Sequence, residues 1–256
     1  MKKFLVFFLI LLPVLTFYAG FKDKANNGNE GDSDMQAISF SADYFIGKKA
    51  VVYGDSITYG VGTSDKSKGY IDLLSKQIGF SYDNFAVSGS LLTYVNAKQD
   101  GRESGVEIIT EHKEYNEKAD YALIMYGAND STHRVIYETD YDTEPKKLED
   151  VGTYKQGIEY AVKVLRDHNP DIKIVFLTPI LRTDNNGYSI EILKKYTEVI
   201  KNSSKELDYY YVDNYSLFSA EEFGENSEYT SDCCHPNDVG NRKIYEHLLD
   251  KELVQG

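Results

Sequence analysis

Residues Val51–Gly60 read VVYGDSITYG. An apolar run rich in β-formers stops at Gly54, passes through Asp55 and Ser56, and meets a second glycine at Gly60. A strand that turns sharply into a helix is written this way. Two readings of Ser56 compete at this point. Serine is a favoured helix N-cap, and on this stretch alone a cap is the simpler answer. The other reading is a nucleophile held at the apex of the turn, and the remaining sequence has to decide between them.

Working outward, the same strand-then-turn pattern recurs. The segments KKAVVY before Gly54, YDNFAV before Ser88, DYALIMY before Gly127, DIKIVFL before Thr178 and DYYYVD ending at Asp213 are short, β-rich and bounded by Gly, Asp, Asn or Pro. Helical patterns lie between them, at Tyr70–Ile78, Val106–Lys118, Tyr154–His168 and Tyr188–Leu207. In the third, Ile158, Ala161, Val162 and Leu165 recur at helical spacing, and Asn169-Pro170 ends the run. A last helix is expected after Pro236, carrying Val239, Ile244, Leu248 and Leu249. Strands separated by helices need crossover connections, which build a parallel sheet covered on both faces. The expected fold is therefore α/β, a three-layer α/β/α sandwich, with a polar excursion at Ser131–Asp150.

At 256 residues the chain can bury one sizeable core. A hydrophobic fraction of 41%, with 22 Tyr and 12 Phe, is that of a folded protein rather than a disordered one. The tyrosines are read as strand filler in preference to a sugar-stacking surface. A formal charge of −13 and a pI near 4.9 argue against a nucleic-acid partner, which would require clustered Lys and Arg. Lys2 and Lys3 precede an apolar run over residues 4–19, the layout of an export signal. Residues 1–21 are accordingly expected to be a signal peptide or an N-terminal membrane anchor. Phe17 lies where a small residue would favour cleavage after Ala19, so a tether through residues 4–19 stays open. Residues 22–37, rich in Gly, Asn and Asp, are expected to be a flexible linker, and residues 38–256 the folded domain. Cys233 and Cys234 are adjacent, which permits no ordinary disulfide framework, and neither a zinc pattern nor HExxH occurs.

In a parallel α/β sheet, ligands bind beyond the carboxyl ends of the strands. The residues found there are Gly54-Asp55-Ser56, Ser88-Gly89-Ser90 and Gly127-Ala128-Asn129-Asp130, and DCCHPND stands before the last helix with Asp232 three residues ahead of His235. Together they supply the parts of an acyl-transfer site. A serine hydroxyl becomes a competent nucleophile when an imidazole takes its proton, and the imidazole needs an acceptor to hold its tautomer. Ser56, His235 and Asp232 are the candidates for those roles. The oxyanion hole is assigned to the backbone N–H groups of Ser56 and Gly89 and the Asn129 amide.

These blocks resemble the SGNH hydrolases, the GDSL-type esterase and lipase family. GDSITYG carries Ser56, AVSGS carries Gly89, GAND carries Asn129, and DCCHPN carries Asp232 and His235, in the family's order. The resemblance extends from about Lys48 to Leu249. In the second block the family often has Asn two residues before the glycine, where this chain has Val87. What the resemblance implies is a flavodoxin-like sheet of strand order 2-1-3-4-5 and a serine esterase without metal or organic cofactor.

With four blocks present, the nucleophile reading of Ser56 displaces the cap. Asp130 is expected to be a turn former after its strand. His112, His168 and His247 are expected to be structural or solvated. His133 is a decoy, because Asp130 and His133 repeat the Asp-x-x-His spacing. Neither a Rossmann GxGxxG, a P-loop nor a GxSxG elbow is present, which removes nucleotide-binding and α/β-hydrolase readings. The sequence leads to the expectation of an exported serine esterase, secreted or held at the outer face of the cytoplasmic membrane, acting on small acyl esters, acetyl above all. Its substrate partner would be a small acyl ester or an acylated glycan, including cell-envelope polymers. The alternatives are a lipase or acyltransferase using the same site, or a non-catalytic glycan-binding relative of the fold.

Overall fold

The backbone alternates as the sequence pattern requires. In the computed structural model, which describes residues 38–40, 42–140, 142–184 and 188–255, seven strands are found: β1 (Ile38–Ser39), β2 (Lys49–Gly54), β3 (Ser81–Asn84), β4 (Tyr121–Met125), β5 (Lys173–Leu177), β6 (Tyr210–Val212) and β7 (Glu252–Leu253). The helices are α1 (Ala42–Phe45), α2 (Ser56–Tyr59), α3 (Tyr70–Ile78), α4 (Tyr94–Gln99), α5 (Gly105–Glu111), α6 (Lys113–Asn116), α7 (Ala128–Thr132), α8 (Tyr154–His168), α9 (Tyr188–Leu207) and α10 (Asp238–Asp250). The expected signal or anchor at 1–21 and the linker at 22–37 lie outside the described residues. Among those described, no helix is long and apolar enough to cross a membrane. They belong to one compact unit, Gln36–Gly256.

Five strands form an all-parallel sheet in the order β3-β2-β4-β5-β6. Counted among themselves these strands run 2-1-3-4-5, the flavodoxin-like order. Because a strand's side chains alternate, each buried strand feeds two cores. Val51, Tyr53, Ala122, Ile124, Ile174 and Phe176 pack under α5, α8 and α9. Ala50, Val52, Leu123, Met125, Val175 and Leu177 face the opposite way, toward α1, α3 and α10. Truncating a fully buried leucine such as Leu123 to Ala is expected to cost about 2–5 kcal/mol.

The helices follow their stripes. In α8, Thr153 and Gln156 form a capping box, Ile158, Ala161, Val162 and Leu165 are buried, and the chain leaves the helix at Asn169 ahead of Pro170. The helix expected over 106–118 is instead two, broken at His112. His112 Nδ1 lies 2.7 Å from the Ile108 carbonyl and its ring rests on Phe85, centroids 3.8 Å apart. The break turns Asn116 into the core, where it accepts from Tyr53 Oη (2.6 Å) and donates to Ile109 O (2.9 Å). A second departure is the antiparallel pairing of β1 with β7, which joins Ile38 to Leu253. Two-residue strands carry no periodicity, so no sequence pattern announces them.

Candidate active site

The carboxyl ends of β2 and β4 open onto the turn at Ser56 and the turn at Asn129. The N-cap of α2 is Asp55, not Ser56: Asp55 Oδ1 accepts from Ile57 N–H at 3.0 Å. That corrects the capping reading of Ser56. With the cap supplied by its neighbour, the Ser56 hydroxyl is free for another partner, and Ser56 is buried at 6% exposure. Asp55 is also buried, which pushes its carboxyl up to about 6 against the opposing pull of the Ile57 N–H, Arg182 and His235.

That other partner is His235. Its Nε2 lies 2.9 Å from Ser56 Oγ, and its Nδ1 lies 2.6 Å from Asp232 Oδ2. Nδ1–H donating to the carboxylate leaves Nε2 as acceptor for the serine hydroxyl, which is the tautomer both contacts require. The second carboxylate oxygen, Oδ1, accepts from the backbone N–H of His235 (2.7 Å) and of Cys234 (3.0 Å). Burial acts to raise the Asp232 carboxyl, but these bonds outweigh it and hold it down at about 2. Asp232 therefore stays ionised through the neutral range. Reaching these contacts bends the chain, and Cys233 takes a left-handed φ of 60°. The Cys234 thiol, 3.9 Å from His235 Nε2, is buried, which pushes it up to about 12 and keeps it protonated. Both cysteines are free thiols.

A second set of contacts joins the serine side of the site to the histidine side, and the motif reading did not foresee it. Gly62, at φ 93°, lies so close to the His235 segment that a Cβ there would stand 2.6 Å from Pro236 O and 3.1 Å from His235 Cβ. Beyond it, Ser64 donates to Asp238 through its N–H (2.8 Å) and Oγ (2.7 Å), and Lys68 Nζ meets the same carboxylate at 2.6 Å. The signal was present in the glycine and in the Asp two residues after Pro236. Nothing local in the sequence says that residues 170 or more apart meet.

The third group is the loop after β3. Gly89 has a φ of 82°, and a Cβ there would stand 2.8 Å from Arg102 Nη1, which itself donates to Gly89 O at 2.8 Å. Asn129 Nδ2 donates to Ser90 O at 3.1 Å, so the Asn129 side chain reaches the loop that carries Gly89. Asp130 is not a turn former. It is fully buried, and its carboxylate receives the Leu92 N–H at 2.9 Å, pinning the same loop from below. Burial, with a further push from Asp55, raises that carboxyl to about 7, against the pull of the Leu92 N–H. The decoy is resolved by geometry: His133 Nδ1 pairs with Asp100 Oδ2 at 2.7 Å rather than with Asp130. His168 Nδ1 meets Asn116 and His247 Nε2 meets the Asp213 carbonyl, both as packing contacts. Among the described residues no group of His, Cys, Asp and Glu is placed to hold a metal ion.

The sequence matches the GDSL-like Lipase/Acylhydrolase family over residues 52–243. No curated protein matches it significantly. Solved structures with the same fold include a protein from Lactobacillus plantarum (TM-score 0.62, 20% identity, covering 79% of this chain and 95% of that one). A lipase from a goat rumen metagenome superposes with a TM-score of 0.57 at 21% identity, over 78% of this chain and 95% of that one. An acetylxylan esterase from Geobacillus stearothermophilus does so with a TM-score of 0.52 at 20% identity, over 80% and 94%. At these identities the structures speak for the fold, while the family match spans the strand ends and turns described above. The chain belongs to the GDSL-like lipase/acylhydrolase family, the SGNH hydrolases, and is a carboxylic ester hydrolase.

Proposed function

We propose that this protein is an exported serine esterase that removes small acyl groups, acetyl above all, from an acylated carbohydrate or cell-envelope polymer. The observation that carries the reading is the unbroken chain Ser56 Oγ to His235 Nε2 at 2.9 Å and His235 Nδ1 to Asp232 Oδ2 at 2.6 Å. In the reaction, Ser56 Oγ attacks the ester carbonyl carbon as Nε2 takes its proton, and Asp232 stabilises the imidazolium that forms. The negative charge moves to the carbonyl oxygen, to be met by the N–H groups of Ser56 and Gly89 and by Asn129. One N–H of the Asn129 amide is engaged by Ser90 O, and its second hydrogen serves the oxyanion. Collapse breaks the bond to the alcohol, which leaves with the proton from His235. Water then attacks the Ser56 acyl-enzyme, giving its proton to the same nitrogen, and the acid and free serine are released.

Export rests on the N-terminal charge and apolar run, and a linker at 22–37 would let a tethered domain reach a polymer substrate. The glycan substrate rests on that export and on the acetylxylan esterase of the same fold. Assaying the protein on 4-nitrophenyl esters of rising chain length and on acetylated polysaccharides tests it, with rapid quench and mass spectrometry looking for an acetyl adduct on Ser56. Folded protein that cleaves none of them while binding the glycans would replace the esterase with a binding module.

A further inference from the structure

The turn 100–103 places Arg102 beside the loop that carries Gly89, and the acyl-transfer scheme above does not use it. Arg102 lays its guanidinium against Gly89, with Nη1 2.8 Å from Gly89 O. The side chain is half-buried, and no carboxylate pairs with it among the described residues. Its neighbour Asp100 is directed elsewhere, onto His133 Nδ1 at 2.7 Å, and Glu103 is exposed. Arg166 and Arg182, by contrast, each meet an aspartate. In a chain of net charge −13, this half-buried guanidinium has no carboxylate partner among the described residues, and the Gly89 carbonyl engages one of its five N–H donors.

His133 supplies the second, independent observation. It follows Asn129 by four residues as the C-cap of α7, and its backbone N–H donates to Asn129 O at 2.9 Å, which sets it one helical turn beyond Asn129. With Nδ1–H held by Asp100, the ring presents Nε2 as an acceptor. Asp100 thus orients the histidine while Arg102, two residues on, covers the glycine. A forked donor and a fixed acceptor then border the oxyanion side of the site.

We propose that Arg102 and His133 form a subsite for the alcohol part of the substrate, and that the group it reads is a carboxylate, so that the preferred ester is an acylated glycan bearing uronic acid. The guanidinium fork takes the carboxylate as two parallel N–H to O contacts, and His133 Nε2 accepts from a neighbouring hydroxyl. With a net charge of −13 the chain as a whole repels an anionic substrate, so recognition of the carboxylate falls to a local cation such as Arg102. The inference rests on the esterase reading and names the substrate of that same site.

Two acetate esters of matched size, 3-acetoxybenzoate and 3-acetoxybenzamide, separate charge from everything else. At low ionic strength kcat/KM for the anion is expected to exceed that for the amide about tenfold, carried by KM, since only the anion can make the charge-assisted bidentate contact. Arg102→Gln keeps a donor for Gly89 O and is expected to bring the ratio to one or below, Arg102→Lys to restore part of it, and His133→Ala to raise KM for the anion two- to fivefold. Acetylated xylooligosaccharides with and without glucuronate should rank in the same order. Equal losses on both esters in Arg102→Gln would overturn the proposal and assign Arg102 to holding Gly89. A wild-type ratio at or below one would overturn it too. Calorimetric titration of Ser56→Ala with 3-acetoxybenzoate reads the subsite without turnover. Binding that disappears on adding Arg102→Gln upholds the subsite even where ester cleavage fails, and binding indifferent to Arg102 refutes it.

Discussion

Replacing Gly62 with Ala tests whether the contact between the serine and histidine sides of the site is what sets their spacing. The methyl group would stand 2.6 Å from Pro236 O, a backbone atom that no rotamer change can move aside. A carbon–oxygen contact of about 3.3 Å is the ordinary limit, so the two segments must part by roughly 0.7 Å. Borne by the His235 segment, that shift lengthens the 2.9 Å Ser56–His235 contact beyond hydrogen-bond range. A displacement of this size costs about 10- to 100-fold in kcat. Stability falls too, because a non-glycine residue at φ 93° costs about 1–2 kcal/mol and the crowding about 1–3 more. For a domain of this size that amounts to a drop in Tm of roughly 4–20 °C. The assay is kcat and KM on 4-nitrophenyl acetate beside thermal melts by circular dichroism. Gly47→Ala is the control, since Gly47 has φ 70° with nothing within 4 Å of an added Cβ, and it should lose stability through strain alone while keeping its rate. A Gly62→Ala protein with wild-type kcat, or a Gly47→Ala protein equally impaired, would refute the reasoning.

The remaining predictions concern the residues around that contact. Ser56→Ala and His235→Ala should each remove most of the activity on 4-nitrophenyl acetate, with the double variant scarcely worse than either; additive losses would mean the two do not act as a unit. Asp232→Ala should cost less than either, because it orients the imidazole without attacking or carrying the proton, whereas Cys233 and Cys234 both changed to Ala should leave much of the rate intact. The side chains that reach the Gly89 loop, Asn129 and Arg102, are polar, so acetyl esters should outrun octanoyl esters, and the reverse order in kcat/KM would count against a small-acyl site. Asp130 has a folded pKa of about 7, above the usual 3.8, so its stabilising share is complete below about pH 3.8 and is lost as pH rises through 7. Asp130→Asn should therefore flatten the fall of Tm between pH 4 and 8, and an unchanged slope would show that the buried carboxyl is not its source.

The strand ends and their order of appearance were legible in the chain because buried parallel strands are short continuous apolar runs, and Val51–Tyr53, Leu123–Met125 and Ile174–Leu177 are such runs. The chemistry of the blocks was legible because they fall in one order, Ser56, Gly89 and Asn129 after successive strands and Asp232 with His235 ahead of α10, a combination that caps and turns alone do not require. The break at His112 escaped, because the pattern of Val106–Lys118 is helical throughout and only packing on Phe85 and the turning of Asn116 into the core divide it. Asp55 as the cap of α2 and Asp130 as a buried prop of the Gly89 loop escaped too, since Asp serves equally at caps, turns and buried bonds, and which of these it takes depends on the N–H groups the fold brings within reach. The pairing of His133 with Asp100 and of His235 with Asp232 follows the same rule: one Asp-x-x-His spacing closes on itself and its twin does not. Sequence spacing is a statement about neighbours along the chain. The meeting of Ser56 with His235, 179 residues away, is decided by the sheet order β3-β2-β4-β5-β6 and the return of α10 beside α3, through long-range burial that no local stretch encodes.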